Sequence, residues 1–233
     1  MCFFIILLKG KTLRLDVTYG DTVGEDGVWV QLLKQPIGTL VHPTLFLDRD
    51  GVIVDDVGYL HKVQDTVLIP GSVETIRRAN LLGLPVVIVT NQSGIGRGIF
   101  GWQEFSAVQE KMLNDLSDGG AYVNAVLACP FHVEANPPWN NVNHPDRKPA
   151  PGMLLRAGKL FSIDYTRSWI IGDHANDIRA GKSAGIQGGL LVASGHGSCS
   201  HQRENARACA NNYFCVNEGN TIIDALHLIP LFN

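Results

Sequence analysis

Residues 44–54 read Thr-Leu-Phe-Leu-Asp-Arg-Asp-Gly-Val-Ile-Val, and this stretch limits the fold more than any other. Residues 44–47 suit a buried strand, Asp48 and Asp50 follow at once, and a second β-branched run begins at Val52 after Gly51. A core strand that delivers two carboxylates to its own tip suits an open α/β sheet, where ligands bind outside the carboxyl ends of the strands. Two acids this close repel when both are ionised, and the pair is tolerable when a cation sits between them or one holds a proton. Taken alone, Asp-x-Asp-Gly also reads as a polar turn after a core strand. The rest of the chain shifts the balance.

Strand and helix patterns alternate from residue 44 onward, which predicts a doubly wound parallel sheet with helices on both faces. Ser72 is the expected N-cap of a helix over 72–82, closed by Gly83. An apolar, β-branched strand at 85–89 runs into Thr90-Asn91-Gln92-Ser93-Gly94. Phe105, Val108, Met112 and Leu116 recur at helical spacing and predict a helix over 102–116, with Gln109 on the opposite, polar face. Further strands are expected at 122–129, 168–171, 189–192 and 213–216, and further helices at 152–161, 177–184 and 221–228. A polar segment separates the strand at 189–192 from that at 213–216. Residues 130–151 read as a long loop rich in Pro and Asn, and loops of that length in compact domains are usually functional or mobile. Residues 1–43 read as an extension with strand-like runs at 3–8, 13–18 and 28–33, ahead of the main domain at 44–233. Four strand ends then carry polar groups toward one edge: Asp48 and Asp50, Thr90 and Asn91, Cys129 with its loop, and Asp173 with Asp177.

The 233 residues suit one α/β domain, and 45% hydrophobic content is enough for a core. A net charge of −3 gives no general attraction to nucleic acid or acidic membranes. Five irregularly spaced cysteines do not resemble a disulfide framework, so a reducing, cytoplasmic setting is expected. The apolar start is far shorter than a membrane span and lacks the basic flank and cleavage pattern of a leader. The glycines at 94, 96 and 98 lack Gly-x-Gly-x-x-Gly spacing, which excludes a nicotinamide loop there.

Asp48-Arg49-Asp50-Gly51-Val52, Thr90-Asn91-Gln92-Ser93, Lys148, and Gly172-Asp173 with Asp177 stand in that order along the chain. In this the sequence resembles the haloacid dehalogenase (HAD) superfamily of phosphohydrolases over about residues 44–192. Asp56-Val57-Gly58-Tyr59, the run from Thr90 to Gly98, and Arg147-Lys148-Pro149 closely resemble the heptose-bisphosphate 7-phosphatases, with histidinol-phosphate phosphatases as near relatives. The resemblance implies a small phosphate ester as substrate, a core without a large cap domain, and Asp48 as a nucleophile that becomes an aspartyl-phosphate. It implies Asp50 as acid and base, Thr90 and Lys148 as stabilisers of the phosphoryl group, and magnesium held by Asp48, Asp50 and Asp173 with support from Asp177. Arg49, Asp56, Gly58, Tyr59, Asn91, Gln92, Ser93, Arg147 and His174 are the expected substrate contacts. Arg147 suits a second phosphate, because its planar fork can grip two oxygens.

Two departures from that family stand out. Its structural zinc loop survives only in Cys129, leaving either a rearranged zinc site of Cys129, His132, His144 and perhaps Asp146, or loss of the metal. His174 stands where the family usually carries lysine. The rival readings are a phosphatase of another sugar phosphate or histidinol phosphate, and a non-catalytic binding module that kept the fold. A monomer is expected, without nucleic acid or membrane partners.

Overall fold

The computed structural model describes residues 22–36 and 41–233. The expected strands at 3–8 and 13–18 lie outside the described residues. Among the described residues, seven strands form one sheet: β1 (Trp29–Leu32), β2 (Leu45–Leu47), β3 (Val86–Asn91), β4 (Ala125–Cys129), β5 (Trp169–Gly172), β6 (Gly188–Val192) and β7 (Cys215–Gly219). Their order is β1-β4-β3-β2-β5-β6-β7, parallel throughout except for β1, which runs antiparallel to β4. Strand β2 is central. The chain builds outward on one side through β3 and β4, then returns to build β5, β6 and β7 on the other, so the tip of β2 lies at a topological switch point.

Register follows from side-chain alternation. Phe46 pairs with Val87 on one side and Ile170 on the other, and all three enter the core layer that holds Met153, Leu154 and Ile178. Leu45 and Leu47 point the opposite way, into the layer with Ile76, Phe105, Val108, Met112 and Leu116. At the base of the central pair, Thr44 N donates to Ser168 Oγ at 2.9 Å across a separation of 124 residues.

The helices are α1 (Ser72–Leu81), α2 (Ser93–Gly96), α3 (Trp102–Asp118), α4 (Gly152–Ala157), α5 (Ala175–Ala184), α6 (Ser200–Arg207) and α7 (Ala225–Leu228). Among the described residues no helix is long and apolar enough to cross a membrane.

Several sequence expectations are corrected. Gly71, at φ +93°, caps α1, while Ser72 is already helical and its hydroxyl donates to Ile53 O at 3.1 Å. Gln109 is buried in α3 rather than set on its polar face. Residues 200–207 form α6, which buries only Ala206 and so has no apolar stripe by which to be recognised. Helix α4 stops at Ala157, and residues 221–228 divide into a 3₁₀ turn, Ile222–Asp224, and α7. Pairing with β6 sets the seventh strand at Cys215–Gly219, later than its side-chain pattern suggests.

Candidate active site

The tips of β2, β3 and β5 and the loops after them surround an open cavity of about 430 Å³, lined by Asp48, Asp50, Thr90, Lys148, Asp173 and Asp177 among others. Each group is fixed by its own element. Asp48 leaves β2 with Oδ1 accepting from Arg49 N at 2.7 Å. Asp50 is gripped by the Arg49 guanidinium, whose Nε and Nη2 lie 3.1 and 2.9 Å from Oδ1. Gln92 Nε2 donates to both Asp50 Oδ2 and Thr90 Oγ1 at 2.9 Å. Thr90 Oγ1 is thereby an acceptor, which leaves its own O–H proton free to be donated elsewhere.

Lys148 comes from the long loop, yet it is almost fully buried. Its ammonium lies 3.0 Å from Asp48 Oδ2, 2.5 Å from Asp177 Oδ1 and 2.7 Å from Val89 O, so its three donors have three acceptors. Burial alone would lower the Lys148 pKa, but Asp177 and Asp48 outweigh it and hold the ammonium above its ordinary value. Asn91 steadies this arrangement: its amide donates to Lys148 O at 3.0 Å and accepts from Lys148 N at 3.1 Å.

Asp173 and Asp177 sit at the tip of β5 and the first turn of α5. Asp177 Oδ2 accepts from His174 N at 3.0 Å, closing a capping box, while Asp173 Oδ2 accepts from His196 N at 2.7 Å. Carboxylate oxygens of Asp48, Asp173 and Asp177 all lie within 4.8 Å of one another. Burial and then the charge of Asp48 push Asp173 up to about 8, and burial also raises Asp177 despite Lys148. Asp50 is raised chiefly by burial, with Asp48 adding to it against the pull of Arg49. One buried ammonium does not neutralise three carboxylates. The donor set of hard oxygens therefore fits a divalent cation such as magnesium.

Gly51 and Gly195 make room for this cluster. Gly51 has φ +75°, and a Cβ there would stand 2.5 Å from Asp173 Oδ2; a Cβ at Gly195 would stand 2.1 Å from the same atom.

Of the expected substrate contacts, Asp56, Gly58, Tyr59, Asn91, Gln92, Ser93, Arg147 and His174 line the cavity. Arg49 does not. It is fully buried beneath Asp50 with its guanidinium 5.2 Å from the Phe105 ring, so it backs the acid instead of facing the cavity. His174 is lowered by burial and then by His196, which favours the neutral imidazole, and its Nε2 lies 3.0 Å from Gln202 Nε2.

The cavity also contains Asn176 and His196, which the sequence reading missed. His196 Nε2 stands 3.0 Å from Asp56 Oδ2, joining the loop after β6 to the loop after β2. The signal available was Gly195-His196-Gly197 just beyond a predicted strand.

The alternative zinc set is not formed. Cys129 is buried, and burial pushes its thiol up to about 12, which keeps it protonated. His144 stacks on Phe131 with ring centroids 3.7 Å apart, while His132 Nδ1 accepts from Glu134 N. Asp146 is held by Arg156 Nη2 at 2.5 Å, which also reaches Asp26 at 2.7 Å. Among the described residues, the groupings with metal-ligand spacing are Asp48, Asp173 and Asp177, and Asp56, Asp173 and His196. Phe131, stacked on His144 and edge-to-face with Trp139, together with the Arg156 ion pairs orders the loop.

A mostly parallel sheet with Asp48 at the tip of its central strand, at the switch point, and a carboxylate cluster beside a buried lysine is the architecture of a phosphohydrolase of the HAD type. Comparison with known proteins agrees: the HAD-hydrolase-like family model matches residues 146–217, and the chain belongs to the HAD-like phosphatases. It is 46% identical over 168 residues to a D-glycero-beta-D-manno-heptose-1,7-bisphosphate 7-phosphatase of Mesorhizobium japonicum, covering 72% of this chain and 77% of that protein. A D-glycero-alpha-D-manno-heptose-1,7-bisphosphate 7-phosphatase of Photorhabdus laumondii is 36% identical, covering 74% of this chain and 93% of that protein. Among solved structures, a D,D-heptose 1,7-bisphosphate phosphatase of B. bronchiseptica, complexed with magnesium and phosphate, superposes with a TM-score of 0.62 at 30% identity. That match covers 74% of this chain and 91% of that one.

Proposed function

We propose that this phosphohydrolase removes the 7-phosphate of D-glycero-D-manno-heptose 1,7-bisphosphate. The observation that carries the reading is the Asp48 carboxylate, held by Lys148 and the Arg49 amide at the mouth of a cavity shared with Asp50, Thr90 and Asp173. The names of the relatives support the substrate, and both anomers appear among them.

Asp48 attacks the phosphorus through a carboxylate oxygen, and the bond from phosphorus to the sugar oxygen breaks. Asp50, whose raised pKa favours its protonated form, gives its proton to the departing oxygen. In the second half, Asp50 takes a proton from water as that water attacks the aspartyl-phosphate, releasing inorganic phosphate and restoring Asp48. Thr90 donates its free proton to a phosphoryl oxygen, and Gln92 keeps it aimed by donating to its oxygen. Lys148 holds Asp48 in place and offsets negative charge as the phosphoryl group arrives. Magnesium, held by Asp48, the Asp50 backbone carbonyl and Asp173, would neutralise the phosphoryl oxygens. Asp177 supports that set by fixing Lys148. Arg147, on the cavity wall with Nη1 donating to Phe131 O at 2.7 Å, would grip the second phosphate.

The test is phosphate release by the purified protein with magnesium, from both heptose bisphosphate anomers, histidinol phosphate and simple sugar phosphates. A preference of at least tenfold in kcat/KM for one heptose anomer, with the 1-phosphate retained, is expected. Equal activity on all of them overturns the substrate assignment while leaving the phosphatase.

A further inference from the structure

Helix α6 buries only Ala206 and is otherwise polar, so side-chain hydrogen bonds rather than a broad apolar face fix it against α5. Gln202 and Asn205 are three residues apart and share one face of α6, and each reaches into α5. Gln202 Oε1 accepts from Ala175 N at 2.8 Å, an amide at the start of α5 that has no acceptor within its own helix. This turns the other end of the Gln202 amide toward His174, with Nε2 at 3.0 Å from His174 Nε2. His174 Nδ1 lies 3.3 Å from Asn176 N. In either tautomer both imidazole nitrogens therefore point at protein N–H groups, and His174 has none to spare for a ligand.

Asn176, on the same cavity wall, is arranged the opposite way. Its Oδ1 accepts from Arg179 Nη1 at 3.4 Å, and Arg179 Nη2 donates to Asn205 Oδ1 at 2.9 Å. Asn205 is in turn fixed on its own helix, where Nδ2 donates to His201 O at 2.9 Å. Because a guanidinium has only donors, Arg179 decides which end of the Asn176 amide faces it. The carbonyl does, and Nδ2, a donor of two protons with no partner among the described residues, is left for the cavity.

We propose, on the sugar bisphosphate reading above, that Asn176 is a specificity-determining contact which donates through Nδ2 to a hydroxyl oxygen of the sugar, and that Asn205 and Gln202 are positioning residues that hold this wall from α6. A hydroxyl fits better than a phosphate because the donor is an uncharged amide, the Arg179 guanidinium is turned toward two side-chain carbonyls, and Arg147 stands on the same cavity for an anion. Selection by such a bond depends on where its donor is held, so loosening α6 acts on sugar binding and leaves Asp48 and Asp50 in place.

Steady-state kinetics of the whole protein with magnesium, on heptose bisphosphate and on p-nitrophenyl phosphate, which has no sugar hydroxyl, test this. Asn205→Leu and Gln202→Leu should each raise KM for heptose bisphosphate by about fivefold or more, the loss expected for one hydrogen bond. Their kcat, and their kcat/KM on p-nitrophenyl phosphate, should stay within about twofold of the parent. Asn205→Asp, which keeps an acceptor for Arg179, should retain the parental KM. Asn176→Ala should raise KM for heptose bisphosphate at least as much as Asn205→Leu, and combining the two should raise it no further, because the amide that Asn205 positions is then gone. A parental KM in both leucine variants, equal losses on the two substrates, or losses that add in the double variant overturn the assignment. Two separate leucine variants keep the test open if one fails to fold. A parent that cleaves p-nitrophenyl phosphate but not heptose bisphosphate overturns the substrate reading itself, and this assignment with it.

Discussion

Lys148 and Asp177 form a buried ion pair, Nζ to Oδ1 at 2.5 Å, and the same ammonium reaches Asp48 Oδ2 at 3.0 Å. One cation thus serves both the carboxylate proposed to attack phosphorus and the carboxylate that caps α5. Lys148→Met should lower kcat by about 10²-fold or more. Removing one partner of a buried pair leaves the other uncompensated, so it should also destabilise the fold by about 3–5 kcal/mol. Adding Asp177→Leu should restore part of the stability and none of the activity. Chemical denaturation and steady-state kinetics on the three proteins check both parts.

Asp48 and Asp50 should fail differently. Asp48→Asn should abolish phosphate release and acid-stable labelling of the protein by phosphate. Asp50→Asn should lower turnover by about 10²–10⁴-fold, the range expected for loss of a general acid and base. Acid quenching during turnover is the measurement, and equal rates for parent and Asp48→Asn would remove Asp48 from the chemistry.

The acid cluster predicts how stability depends on pH. Asp173 is pushed up to about 8, and Asp177 is raised as well, above the usual carboxylate value of 3.8. Without metal the native state then binds more protons than the unfolded chain between about pH 4 and pH 8, so its stability falls as pH rises through that window. Magnesium should oppose this, and the gap in Tm between magnesium and EDTA should widen from pH 5 to pH 8. A gap that is constant or narrows with pH would contradict cation binding at these carboxylates.

Gly51→Ala should be harmful for two reasons. The residue sits at φ +75°, and its new methyl would stand 2.5 Å from Asp173 Oδ2. A destabilisation of about 1–2 kcal/mol is expected, together with weaker magnesium dependence because Asp173 must move. Gly58→Ala is the comparison: its φ is +85° but its Cβ position is open, so magnesium dependence should be unchanged.

The 130–151 loop should be indifferent to zinc. Added zinc should leave Tm unchanged after EDTA treatment, whereas Phe131→Ala should lower stability by about 3 kcal/mol. The stacking on His144 and the edge-to-face contact with Trp139 would be lost with the ring.

The sheet and the carboxylate cluster were legible because apolar runs with charged ends leave strong local signals. Asp48 and Asp173 each follow a strand directly, Thr90 lies at the end of β3, and the structure gathers all three. What stayed hidden depends on partners remote in sequence. Arg49 reads as a substrate contact beside two acids, and only the packing of Phe105 beneath it shows that it is buried. Gln109 looks like a surface residue until β1 lies across α3. Helix α6 has no apolar stripe, so its polar residues gave no period to detect. His196 entered the cavity through a loop whose length and glycines permit many conformations.

The bond from Thr44 to Ser168 closes 124 residues of chain at the base of the two strands that carry Asp48 and Asp173. Neither half of the molecule alone can present Asp48 and the carboxylate across from it. Loop closure over that span is slow compared with helix formation, and most native contacts formed earlier leave the site unassembled. Enzymatic activity during refolding should therefore reappear late, in step with the joining of β2 and β5 and behind the recovery of helical signal. Turnover is then a report on the whole fold.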